Sequence, residues 1–122
     1  MHRFEPTHLG LIDAARSLGV RSGSTHKYTR VWVVVVLGRV LVRSWNDKPT
    51  GWFRAFLREP VGTIRVGKKE IPARGRQVRG ARLLNAVSVA IAAKYPHKSS
   101  QQYVVGFRTP KRKTATLEFL PS

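Results

Sequence analysis

The sequence contains no cysteine. That excludes disulfides, thiol nucleophiles and thiolate metal sites, and it fits the reducing cytoplasm. Acidic residues are almost as scarce. Glu5, Asp13, Asp47, Glu59, Glu70 and Glu118 are the whole set, and their scatter leaves no carboxylate pair that converges for hydrolysis. His2, His8, His26 and His97 form no H-x-x-x-H pair, so no metal is expected. Nothing around Ser44 or Ser88 supplies a base and an orienting acid, which argues against a hydrolytic triad. Long apolar runs are missing too. The longest, residues 31–37, is far too short to cross a bilayer. The opening residues are polar and have no apolar leader segment. A soluble cytoplasmic protein without membrane attachment is the expectation.

What the chain has in excess is positive charge. Twenty-three Lys and Arg against six Asp and Glu leave +17, and the isoelectric point is near 11.7. Such a field concentrates anions. Nucleic acid, an anionic membrane surface and a phosphorylated small molecule all satisfy it. Lys111-Arg112-Lys113 and the series Arg74, Arg76, Arg79, Arg82 are basic enough to track a phosphate backbone. No helix-turn-helix, RNA-recognition or zinc-finger spacing accompanies them. Any nucleic-acid binding is therefore expected to be weak and non-specific. With 122 residues and 42% hydrophobic content, the chain is long enough for one domain with its own core.

Periodicity predicts a helix capped by Thr7, with Leu11, Ile12, Ala15 and Leu18 on one face and Gly19 as its stop. Residues 20–28 read as a polar turn. A β-branched strand follows over 29–36, a tight turn at Leu37-Gly38, and a second strand over 39–45, which make a hairpin. Thr50 is placed to cap a short helix ending at Arg58. Strands are predicted over 61–66 and 70–78, the second an edge or bulged strand because of Pro72 and Gly75. The longest helix spans 81–95 and is closed by Pro96. Strands over 103–108 and 115–120 complete the chain. The expected fold is α+β: a small six-stranded antiparallel split β-barrel with flanking helices. It divides into an N-terminal arm, short helix and loop over 1–28 and a barrel over 29–122.

Two stretches carry candidate chemistry. Arg21-Ser22-Gly23-Ser24-Thr25 is a short polar loop ahead of a strand. It either presents backbone N–H groups and a guanidinium to phosphate or is simply a loop. Arg43, Ser44 and Trp45 end a strand, and Trp52 and Phe53 start the next helix. Strand end, loop and helix start together suggest an anion pocket with a flat aromatic wall at Trp45 and Trp52. Arg43 shares a face with Trp45. It either pairs with Asp47 or a distant acid, or it awaits a ligand.

The run Trp32 to Trp45 (W-V-V-V-V-L-G-R-V-L-V-R-S-W), with Gly51-Trp52-Phe53-Arg54 and Ile64-Arg65-Val66-Gly67, resembles an uncharacterised bacterial domain-of-unknown-function family. Ala92-Ala93-Lys94-Tyr95 and Ala115-Thr116-Leu117-Glu118 extend the resemblance over residues 29–120. The same layout is similar to deazaflavin-dependent nitroreductases and, more distantly, to pyridoxamine-phosphate-oxidase-like split barrels that bind FMN. That resemblance implies a phosphorylated cofactor, FMN or a deazaflavin coenzyme. Arg21, Ser22, Gly23 and the stretch Lys27 to Arg30 would meet its phosphate, and Arg43, Ser44 and Trp45 would line its ring. It further implies a homodimer, for which Trp52 and Phe56 offer aromatic surface. A basic non-enzymatic nucleic-acid-binding protein and a barrel that has lost its cofactor are the alternatives.

Overall fold

The structure is a computed structural model that describes residues 3–122. Among these residues, five α-helices surround seven antiparallel strands. The helices are α1 (Pro6–Ala14), α2 (Trp52–Arg58), α3 (Ala81–Lys94), α4 (Gln101–Gly106) and α5 (Pro110–Thr114). The strands are β1 (Leu18–Ser22), β2 (Thr29–Val31), β3 (Val33–Val36), β4 (Arg39–Arg43), β5 (Val61–Val66), β6 (Lys69–Gln77) and β7 (Thr116–Pro121). The sheet order is β2-β1-β5-β6-β7-β4-β3. Its two outermost strands are consecutive in the chain, separated only by Trp32. One extended run thus serves both sheet edges and nearly closes a barrel, which hides the unpaired backbone that an open sheet leaves exposed.

Four expectations need correction. Residues 18–22 are strand β1, not helix and loop, because Leu18, Val20 and Ser22 alternate inward against Gly19 and Arg21. Sheet structure therefore begins before residue 29. The expected strand over 29–36 is broken in two; with β1 gained and the strand expected over 103–108 absent among the described residues, the count is seven. Residues 103–108 lie in and just after helix α4, with Val104 and Phe107 buried one turn apart. β6 is an interior strand, paired with both β5 and β7. Pro72 is tolerated there because the β6–β7 ladder stops at Ala73 opposite Pro121. Beyond that pair only the Ser122 N–H reaches the Pro72 carbonyl, at 3.3 Å, so the missing Pro72 N–H costs no ladder bond.

The barrel interior is packed by Leu18, Val20, Val40, Val42, Ile64, Leu117 and Phe119, with Ile12 entering from α1 and Phe53 and Phe56 from α2. Phe56 meets Phe119 edge-on at 5.0 Å. Two glycines make its seat. A Cβ on Gly62 would lie 3.0 Å from the Phe56 ring, and one on Gly75 would lie 3.1 Å from it. Phe56 is thus core, not surplus surface for a partner. Outside the barrel, α3 and α4 cover Val34 and Leu41 with Leu84, Val87, Ile91, Val104 and Phe107.

On the outer side of β7, Glu118 is buried and accepts hydrogen bonds from Arg39 (2.7 and 2.9 Å) and Arg76 (2.8 Å). Burial raises its pKa, but the bonds from the two arginines outweigh burial and hold the carboxyl below its usual value. The stability this contributes is complete above the unfolded carboxyl pKa of about 4.3. It is lost as pH falls through the lower folded value. Glu118→Gln should lower stability at pH 7 by about 2 kcal/mol, less than the ~3–5 of a fully buried pair because both arginines reach solvent. Unfolding midpoints of parent and variant, followed by circular dichroism from pH 7 to about pH 2, should converge on acidification. Parallel curves would contradict this role.

Candidate functional site

The break at Trp32 shapes the surface beside it. The Val33 N–H donates to the Tyr95 hydroxyl oxygen at 3.1 Å, and the Val33 carbonyl accepts from Lys94 Nζ at 2.8 Å. The Tyr95 hydroxyl in turn donates to the Arg16 carbonyl at 2.6 Å. Burial pushes the Tyr95 pKa up and the Lys94 pKa down. The Trp32 indole stacks on the Tyr95 ring at 4.0 Å with 6° between planes. Polar groups from the end of α3 thus satisfy the backbone where the run changes partner.

Beside this break lies a cavity of about 560 Å³, bounded by β2, the end of β4, the loop before α2, and α4. Trp32, Trp45, Trp52, Tyr103 and Phe107 supply aromatic walls, and Arg30, Arg43 and Lys48 supply cations. No Asp or Glu is among its lining residues. Trp45 is fixed from several sides. The Arg112 guanidinium sits 3.7 Å from its ring centre, and Tyr103 and Phe107 meet it edge-on at 5.1 and 5.2 Å. Arg112 Nε also donates to the Trp45 carbonyl at 2.9 Å. A Cβ on Gly106 would come within 2.3 Å of the Trp45 ring, so only glycine lets α4 pack this closely.

Arg43 lies under α3 and α4, 3% exposed, on the outer face of the barrel and not inside it. It donates to Thr116 Oγ1 (2.7 Å), Ser88 Oγ (2.8 Å), the Leu84 carbonyl (2.9 Å) and the Phe107 carbonyl (3.1 Å). Every one of these acceptors is neutral. Asp47, one of the alternatives for its partner, is held instead by Arg54 at 2.6 and 2.8 Å. Burial lowers the Arg43 pKa to about 10, so it is still cationic at neutral pH. Its side chain ties the barrel to two helices and brings an uncompensated positive charge to the cavity edge.

A second cavity of about 90 Å³ shares Thr29, Thr50, Gly51 and Trp52 with the first. Arg21, Ser22, His26 and Lys27 line it as well. Arg21 Nε is buried and has no acceptor among the described residues. The Arg21 guanidinium rests 4.5 Å from the Tyr28 ring and 4.0 Å from a Glu70 oxygen.

The nine candidate residues therefore divide. Arg30, Arg43, Trp45 and Trp52 line the larger cavity, and Arg21, Ser22, Lys27 and again Trp52 line the smaller one. Gly23 and Ser44 line neither. Ser22 donates its hydroxyl to the Glu59 carbonyl at 2.7 Å, and the Gly23 N–H goes to the Val61 carbonyl at 2.9 Å, at φ +63°. Both groups build the turn and offer no donor to a ligand. Ser44 is buried with its hydroxyl on the Asn46 carbonyl at 3.0 Å. The first α2 residue follows Gly51 as N-cap, not Thr50, and α2 has only seven residues. The positive field here comes from side chains. Trp32, Lys48, Tyr103 and Phe107 were not expected in the site. The four-residue spacing of Tyr103 and Phe107 would have put both on one face only if the segment had been read as a helix.

Among the described residues, no three His, Asp or Glu side chains gather as a metal site, and no helix is long and apolar enough to cross a membrane. The sequence pattern of a family described as an uncharacterized protein conserved in bacteria (DUF2255) matches residues 9–119. The chain belongs to this family. The DUF2255 chain also shares its fold with the crystal structure of a conserved hypothetical protein, Rv2991, from Mycobacterium tuberculosis. That similarity has a TM-score of 0.64 at 12% identity and covers 99% of this chain and 81% of the other. No curated protein matches the sequence. The cleft of this DUF2255 member depends on Arg43 for its floor. Arg43→Ala would remove four buried hydrogen bonds to a charged group, and should destabilise the protein by about 3 kcal/mol. Urea unfolding measures this, and an unchanged midpoint would refute the clamp.

Proposed function

We propose that the chain binds a phosphorylated flavin or deazaflavin and acts as an oxidoreductase of the split-barrel kind. One observation carries the reading. All three tryptophans of the chain, with Tyr103 and Phe107, wall a single cavity that holds three cations and no carboxylate. Flat aromatic walls suit a planar conjugated ring, and about 560 Å³ lies within the range of sites for ligands of this size. The adjoining small cavity suits a phosphate. Arg21 and Lys27 line it and supply two cations. When bound, such a cofactor supplies hydride-transfer chemistry itself. The chain's part is to hold the ring between indoles, neutralise its anionic groups and keep water away. That division of labour agrees with a sequence lacking converging acids, cysteine and a histidine pair.

Because all three tryptophans line the cavity, indole fluorescence reports on it alone. Titration with FMN and, separately, with the deazaflavin coenzyme should quench that fluorescence saturably at micromolar concentration. Trp52→Ala should weaken the binding at least about tenfold, through loss of one stacking wall and the boundary between the cavities. If neither compound quenches the parent protein, the cofactor reading fails and a barrel without cofactor replaces it.

A further inference from the structure

We propose that the outer face of β1, β5 and β6 binds the phosphate backbone of a nucleic-acid duplex without reading its sequence. This surface adjoins the aromatic cleft at Arg30, which lines both the cleft and the hollow at the end of the face. Alternation along the strands sends Arg65 of β5 and Pro72, Arg74 and Arg76 of β6 outward, and all four are exposed. The helices lie elsewhere. α1 and α2 insert Ile12, Phe53 and Phe56 into the barrel interior, and α3 and α4 cover the β3–β4 side.

The few acids on this face are already engaged. Glu70 accepts the Tyr28 hydroxyl at 2.5 Å and lies 4.0 Å from Arg21. Glu118 is held by Arg39 and Arg76. Among the described residues, Arg65, Lys68 and Arg74 have no carboxylate within 4.0 Å. The face also ends in two cationic hollows. Arg30, Arg65 and Lys68 line one of about 670 Å³ together with the engaged Glu70, and Arg39, Arg76, Arg79 and Arg82 line another of about 480 Å³, toward α3, together with the engaged Glu118. A row of cations with a hollow at each end matches a polyanion that extends across the sheet, more than a single small anion.

The choice of a duplex follows from what the face does not display. Single strands are gripped by stacking bases on open aromatic rings. Tyr28, at the edge of this face, already carries Arg21 at 4.5 Å and Arg65 at 4.2 Å from its ring centre. None of the outward residues of β1, β5 and β6 is aromatic. Contacts to phosphates alone position a duplex and carry no sequence information.

The test is fluorescence anisotropy with a labelled 20-base-pair DNA duplex (about two helical turns), a second duplex of unrelated sequence, and one of the single strands. Both duplexes should bind alike at low salt, more tightly than the single strand. The logarithm of affinity should fall linearly with that of salt. The variant Arg65→Gln/Lys68→Gln/Arg74→Gln should reduce the slope by about three and weaken binding at least about tenfold. Lys98→Gln/Arg108→Gln/Lys111→Gln, with the same loss of net charge on other surfaces, should change binding far less. Both variants alter exposed side chains, and thermal melting checks that both fold. Equal weakening by the two variants would show that net charge alone acts, and would overturn the assignment. So would tighter binding of the single strand, or a hundredfold preference for one duplex. Arg30, which also borders the cleft, stays unchanged, so FMN titration of the face variant reads the two sites independently.

Discussion

A single extended run, residues 29–36, must pair with β1 at one end and β4 at the other. Most of the structure follows from that constraint. A straight strand cannot satisfy two sheet edges that face each other across a barrel, so the run breaks at Trp32. The break exposes backbone groups that would be costly to bury unpaired. Tyr95 and Lys94 meet those of Val33, and the Tyr95 ring receives the displaced indole. The end of α3 is thereby anchored against the seam. Arg43 then ties the same helix to β4 and β7. The cleft is the space left between these anchored parts.

Charge is handled differently in different places. Buried carboxylate is rare, and Glu118 is stabilised by two arginines that keep their contact with water. Arg43 has the opposite arrangement, a buried cation held by neutral oxygens. Such acceptors satisfy its N–H groups but leave its charge uncancelled, which raises the potential at the cleft. Most other arginines lie outward, where water screens them. The excess of +17 thus separates into a small component directed at the cleft and a larger one spread over the sheet exterior.

How far the sequence revealed this differs by element. The hairpin at Leu37-Gly38, helix α3 and strand β5 were legible because period and turn residues agreed. β1 was not, since Gly19, Arg21 and Ser22 mask a period-two pattern that emerges only once β5 lies beside it. The valines of α4 favour a strand by propensity, and burial of Val104 and Phe107 on one face overrode that preference. At the site, Arg43, Trp45 and Trp52 were legible as a strand end facing a helix start. Trp32, Tyr103 and Phe107 were not, because their convergence depends on the seam and on α4 being helical. Ser22 and Ser44 look like ligand donors in sequence, and only three-dimensional pairing shows their hydroxyls engaged by nearby carbonyls.

The proposed function makes the cleft beside the Trp32 seam the site of a planar anionic cofactor. Nitrogen-15-labelled protein, titrated with FMN or the deazaflavin coenzyme, tests it most directly through the indole N–H resonances. The chain has three tryptophans, and all line the cleft. The account predicts that all three indole signals shift with one common dissociation constant, together with the backbone amides of Arg21 and Lys27, while those of Arg65 and Arg74 stay in place. Indole signals that do not move with either compound, or shifts confined to the outer sheet, would contradict it.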